Sequence, residues 1–98
     1  MGIKDAYQEK IQAELREWQA RIDTLKARAD KARAEKKVEY YEQIETLRNK
    51  REQARQKLEE LQAAGDSAWE DLKAGVDSAL EDLGQAVGKA TDRFKQDS

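Results

Sequence analysis

The sequence predicts an all-α fold: a long helix and a shorter one folded back on it as an antiparallel hairpin. Together they form an elongated coiled-coil or three-helix-type bundle that a second copy of the chain completes. Three observations carry that prediction. Ala, Glu, Lys, Arg, Gln and Leu, all strong helix formers, dominate the 98 residues. Proline is absent throughout, and between Ile3 and Ala64 there is no glycine either. The large apolar residues recur every three or four positions, the spacing that lines them up along one helix face. With 41% charged residues against 38% hydrophobic ones, the chain cannot close a thick globular core. A thin bundle with a charged exterior fits that balance.

The first element is a helix within residues 1–64, about 60 residues or roughly 90 Å long. Its stripe runs through Ile11, Leu15, Trp18, Ile22, Leu25 and Ala29 and resumes at Tyr40, Ile44, Leu47, Ala54, Leu58 and Leu61. These two stretches do not share one heptad frame. An 11-residue repeat joins them through Ile11, Ile22, Arg33 and Ile44, with a period that keeps the stripe nearly straight. The segments Ile22-Asp23-Thr24-Leu25-Lys26 and Ile44-Glu45-Thr46-Leu47-Arg48 match position by position, as two such units would.

The second element belongs to residues 65–98, which form one domain with the first. Ala64-Gly65-Asp66-Ser67 is the break: Gly65 suits a left-handed helix terminus, Asp66 or Ser67 can cap the next helix, and Ser67 with Glu70 has capping-box spacing. The helix is expected from Ser67 to Phe94. Its seam is Trp69, Leu72, Val76, Leu80, Leu83, Val87, Ala90 and Phe94, set in an acidic 11-residue repeat. Gly75, Gly84 and Gly88 each cost about 1 kcal/mol of helix propensity, so this helix needs a partner surface.

Antiparallel helices pair residues whose numbers add to a constant, which tests the stripes against one another. Folding the tail back pairs Leu61 with Trp69, Leu58 with Leu72, Ala54 with Val76, Leu47 with Leu83, Ile44 with Val87 and Tyr40 with Ala90. Arg51 falls opposite Leu80, its stem along apolar surface and its guanidinium expected outside. Folding the first stripe on itself pairs Ile11 with Leu61, Leu15 with Leu58, Trp18 with Ala54, and Leu25 with Leu47. Both registers hold together. A turn near residue 36 gives a monomeric three-helix bundle; an unbroken helix gives the same contacts in an antiparallel homodimer. The dimer is the expectation, because Ala34-Glu35-Lys36-Lys37-Val38-Glu39-Tyr40 contains nothing that asks for a turn. Against it, residues 26–37 carry six bases and two acids, and a two-fold axis there brings like charges together.

The composition also narrows function. Histidine and cysteine are absent, removing the usual general base, the thiol nucleophile and the commonest zinc ligands. Carboxylate pairs such as Glu59-Glu60, Glu70-Asp71 and Glu81-Asp82 point about 100° apart on a helix and have no Glu-x-x-His companion. No catalytic residue, cofactor or metal is therefore expected. Net charge is −2, which creates no global attraction to nucleic acid or anionic lipid. The bases from Lys26 to Lys37 could track phosphates, but the acids among them make intrahelical pairing the simpler account. The 67–94 helix could lie on a membrane, yet acids rather than bases flank its apolar stripe. Trp18 and Trp69 could anchor a partner and are expected in the core instead. No apolar run has the length of a membrane span or signal peptide, and Ala6 stands where a myristoylation motif after Gly2 wants Ser or Thr. The location expected is the cytoplasm.

Asp5-Ala6-Tyr7, Ile11-Gln12-Ala13-Glu14-Leu15, Glu17-Trp18, the segment Ile22 to Asp30 and Ala68-Trp69-Glu70-Asp71-Leu72-Lys73-Ala74-Gly75-Val76 resemble a family of small bacterial coiled-coil proteins described as stress-associated. The resemblance spans nearly the whole chain, and its more specific parts are the Asp-Ala-Tyr start and the tail-helix motif. It implies a helical bacterial protein linked to stress response and supplies no ligand or catalytic residues. The resulting expectation is a non-enzymatic coiled-coil protein acting by self-association or protein–protein interaction. Alternatives are a peripheral lipid-associated stress protein using residues 67–94 and a weak nucleic-acid-associated regulator.

Overall fold

Three helices make up the fold: α1 (Ile3–Asp30), α2 (Ala34–Ala63) and α3 (Trp69–Gln96). The structure is a computed structural model in which residues 2–65 and 67–96 are described. The helices run up, down and up in a bundle of 51 × 19 × 17 Å, about the length of α2 alone at 1.5 Å per residue. Helix-forming residues fill each element, and charges complement the helix dipoles at several ends. Asp5 lies in the first turn of α1 and Arg28 in its last; Glu70 and Asp71 open α3, and Arg93 and Lys95 close it.

The helix expected to run unbroken over 1–64 is two helices. It breaks at Lys31-Ala32-Arg33, a few residues before the alternative turn near residue 36. The N–H groups of Lys31 and Ala32 bond back to the carbonyls of Arg28 and Ala29, tightening the last turn of α1. Lys31 keeps a right-handed conformation (φ −93°, ψ −4°), and Arg33 then extends (φ −64°, ψ 151°) to start α2. One chain thereby closes a three-helix bundle, and contacts that a straight helix would divide between two copies are made within it.

The second turn also differs from its expectation. Gly65 is not left-handed, since no glycine among the described residues has positive φ. The C-cap residue Ala64 instead adopts an extended conformation (φ −82°, ψ 151°). Helix α3 starts at Trp69 rather than Ser67, its first bond running from the Leu72 N–H to the Ala68 carbonyl. Ser67 thus falls one residue outside the capping position that a capping box requires. Asp66, the other capping candidate, lies outside the described residues.

The core is a single row from each helix: Tyr7, Ile11, Leu15, Ile22, Leu25 and Ala29 of α1; Tyr40, Ile44, Leu47, Ala54, Leu58 and Leu61 of α2; and Val76, Leu80, Leu83, Val87, Ala90 and Phe94 of α3. Trp18, Trp69 and Leu72 are partly buried and pack against it. No polar or charged residue is buried among the described residues. Lys4 Nζ donates to the Ala64 carbonyl at 2.7 Å and Arg51 Nε to the Leu15 carbonyl at 3.1 Å, holding α1 antiparallel to α2. Arg51, expected to place its guanidinium outside opposite Leu80, is therefore turned onto the α1 backbone. Lys50 pairs with Asp82 at 2.7 Å and Arg93 with Glu39, holding α2 antiparallel to α3.

The two tryptophans take neighbours the paired stripes did not assign. A methyl group at Gly84 of α3 would lie 3.2 Å from Trp18 Cζ2, so Trp18 is seated over that glycine and not simply opposite Ala54. Trp69 packs edge-to-face on Tyr7 of α1, ring centroids 5.5 Å apart, rather than only against Leu61. Both contacts join α1 to α3, an interface that pairing the helices two at a time does not address.

Candidate functional site

The two ends of the bundle differ in charge. Where the α1–α2 turn meets the C-terminal part of α3, residues 26–37 and 89–96 carry nine bases and three acids. At the opposite end, residues 3–10, 57–65 and 67–77 carry four bases and seven acids. An open cleft of ≈ 660 Å³ marks the basic end, with Arg28, Lys31, Arg33 and Lys36 around it and Ala32, Glu35, Tyr40 and Phe94 completing the lining. The Tyr40 and Phe94 rings stack beneath, centroids 4.0 Å apart at 27°, and tie α3 to α2 there. Arg28, Lys31, Arg33 and Lys36 make no salt bridge among the described residues. At the same end Lys26 pairs with Asp30 and Arg93 with Glu39, and elsewhere on the bundle Lys50, Arg55 and Lys73 have carboxylate partners.

Hydrogen bonds brace one side of this end. Tyr41 Oη donates to Asp30 Oδ1 at 2.5 Å and Lys26 Nζ to Asp30 Oδ2 at 3.1 Å. The Tyr41 bond first, then the Lys26 bond and charge, hold the Asp30 carboxyl below the usual range, and the same bond raises the Tyr41 hydroxyl. Asp30 is thereby committed to Lys26 on its own helix and to Tyr41 across the turn. Val38, 66% exposed, and Tyr41, 40% exposed, leave a small apolar spot on the outer face of α2 beside the turn.

The acidic end holds a second polar cluster. Tyr7 Oη donates to Asp77 Oδ1 at 2.5 Å and lies 3.3 Å from the Lys73 carbonyl, while Lys73 Nζ reaches Asp77 Oδ2 at 3.1 Å and sits 5.1 Å from the Tyr7 ring centroid. Burial first, then the bond to Asp77, pushes the Tyr7 hydroxyl well up. Burial also acts to raise Asp77, but the bonds from Tyr7 and Lys73 outweigh it and keep that carboxyl low. The cluster latches α3 to α1. Tyr7 was absent from the predicted seam, although it precedes Ile11 by four positions and so continues the same stripe.

The predicted seam occupies the interior. Ile11, Leu15, Ile22, Leu25, Tyr40, Ile44, Leu47, Leu58, Leu61, Val76, Leu80, Leu83, Val87 and Phe94 are buried, while Trp18, Trp69 and Leu72 border the core. What these residues do is hold one chain together. The carboxylates considered for acid–base or metal chemistry are scattered: Glu59 pairs with Arg55, Asp82 with Lys50, and no group of three potential metal ligands occurs among the described residues. No helix among them is long and apolar enough to cross a membrane. The arrangement with chemical character is the basic end, where positive charge is concentrated without carboxylate partners around one cleft. Comparison with protein-family models, with curated proteins and with solved structures gives no match.

Proposed function

We propose that this chain is a non-enzymatic interaction protein of the cytoplasm whose basic end docks an acidic surface of a partner protein. The observation that carries the reading is the crowding of Arg28, Lys31, Arg33 and Lys36 around one cleft without salt-bridge partners. Arg28 is favoured at the C-terminal end of α1, but crowding Lys31, Arg33 and Lys36 beside it adds like-charge repulsion that the fold does not neutralise. A partner carboxylate array would neutralise it and gain in association rate. The interior supports the same reading: the buried seam is already occupied within the chain, which leaves charged faces and turn surfaces for contact. The link to bacterial stress response rests on the resemblance of the Asp-Ala-Tyr start and the tail helix.

The test is affinity capture from stressed bacterial cells with wild-type protein and with the Lys31→Glu, Arg33→Glu, Lys36→Glu triple variant. Retention of helical content in the variant is checked by circular dichroism. Acidic proteins captured by wild type, released by salt and lost from the variant support the reading. An unchanged set of captured proteins would refute it. The same cations favour nucleic acid as a second reading, and a salt-sensitive mobility shift with DNA or RNA, without an acidic protein partner, would move the assignment there.

A further inference from the structure

The α1–α2 connection is only three residues long, Lys31-Ala32-Arg33, and each residue type is at home in a helix. No side chain caps α2, whose N-cap is Arg33; the backbone bonds from Lys31 and Ala32 close the end of α1, and the exposed Tyr41–Asp30 bond reaches across the turn. Positive φ occurs nowhere in the turn. Every conformational change needed to straighten it therefore stays within ordinary backbone space. A straight helix would also give the N–H groups of Ala34 and Glu35, which have no intrahelical acceptors at a helix start, the carbonyls of Asp30 and Lys31.

Straightening removes α1 from its own chain, and the surface that replaces the loss is the α2–α3 face of a second copy. Antiparallel pairing allows this while keeping the α1–α2 contacts already made. The residue midway between the bonded Lys4 and Ala64 is Ala34, and the one midway between Leu15 and Arg51 is Arg33. A two-fold axis through the turn thus converts each α1–α2 contact into the same contact between copies. Short hinges with apolar elements on either side are the usual setting for such exchange.

We propose that this chain forms a domain-swapped antiparallel homodimer in which residues 31–33 become helical and α1 of each copy packs on α2 and α3 of the other. The inference rests on the turn and is independent of the acidic-partner reading. Charge sets the balance. In the dimer Lys31, Arg33 and Lys36 of both copies converge on the axis, so repulsion holds the closed monomer at low ionic strength. Screening shortens from about 30 Å at 0.01 M salt to about 3 Å at 1 M, so salt promotes this dimer, opposite to the behaviour of one held by ion pairs. Its shape differs as well: the continuous helix over residues 3–64 would span about 90 Å, against 51 Å for the bundle.

The test is size-exclusion chromatography with light scattering on the purified full chain, refolded at high concentration at about 0.01 M and about 1 M NaCl. The dimer fraction should rise severalfold with salt, and small-angle scattering of that fraction should show the longer particle. Arg33→Ala, which removes a charge at the axis and adds helix propensity, should give dimer already at low salt. Insertion of Gly-Ser-Gly after Ala32 should give monomer at both, with helical content kept. Monomer mass for wild type and Arg33→Ala at both salts would overturn the proposal. A dimer that survives the insertion would overturn it too, because closed bundles meeting face to face do not need the hinge. If Arg33→Ala fails to fold, the wild-type salt series and the insertion still decide.

Discussion

Gly75, Gly84 and Gly88 lie inside α3 in ordinary helical conformation, yet only Gly84 has another helix against it. A Cβ at Gly75 or Gly88 meets nothing within 4 Å, whereas at Gly84 it comes 3.2 Å from Trp18 Cζ2 and 3.5 Å from Cη2. Replacing Gly75 or Gly88 by Ala should therefore stabilise the bundle by close to the full propensity difference, about 0.8–1.0 kcal/mol each. The two sites are about 20 Å apart along the helix and should add, giving about 2 kcal/mol together. For a chain of this size that raises Tm by about 8–16 °C. At Gly84 the same gain is offset by the shift forced on the indole, since overpacking costs about 1–3 kcal/mol; the partly exposed ring can yield, so the lower end applies. Gly84→Ala should then lie between no change and a loss of about 1 kcal/mol. The assay is urea unfolding followed by far-ultraviolet circular dichroism, with Trp18→Phe as the second arm of a double-mutant cycle. Phenylalanine lacks the atoms that Cβ meets, so Gly84→Ala should recover its stabilising effect in that background. If Gly84→Ala in the wild-type chain stabilises as much as Gly75→Ala, Trp18 is not seated on Gly84 and the α1–α3 register is wrong.

Two further outcomes follow from the core and the latch. Leu83→Asp places an unpaired carboxylate at a fully buried site and should cost about 4–5 kcal/mol, abolishing the thermal transition; Leu72→Asp, at the border of the core, should lower Tm and leave a folded bundle. Tyr7→Phe keeps the ring contact with Trp69 but removes the bond to Asp77, at a cost of about 1 kcal/mol near neutral pH. Its pH dependence has a defined sign. Asp77 is held below its unfolded value, so its contribution is present above about pH 4 and fades as pH falls through the lowered folded value. The Tyr7 hydroxyl is held above its unfolded value, so its contribution is present below about pH 10 and fades at higher pH. Urea midpoints of wild type and Tyr7→Phe should therefore differ most between those limits and converge in strong acid.

The apolar stripes were legible because helical period alone decides which residues can share a face. The turn at Lys31-Ala32-Arg33 was hidden for a physical reason: it uses right-handed and extended conformations open to any residue, so no glycine, proline or asparagine marks it. Two signals were nevertheless present. The heptad frames before and after the turn disagree, and Arg33, the one charged member of the 11-residue series Ile11, Ile22, Arg33 and Ile44, is the N-cap of α2. At Gly65 the reverse holds: the residue type announced a left-handed cap, while extended Ala64 ends the helix. The basic cluster was visible in the sequence as an obstacle to a dimer. Its place at one end of the bundle, beside the stacked rings of Tyr40 and Phe94, needed the third helix. The seat of Trp18 on Gly84 could not be found from paired stripes, since those relate helices two at a time.

An odd number of helices has a mechanical consequence. Because α1 begins beside Ala64 and α3 ends beside Tyr40, the two ends of the bundle emerge at opposite poles of its 51 Å axis. Traction applied through both ends would load the interhelical contacts in shear, all layers resisting together, instead of peeling one helix away layer by layer. Among the outermost contacts sharing that load at the two poles are the Tyr7–Asp77 latch and the Tyr40–Phe94 stack.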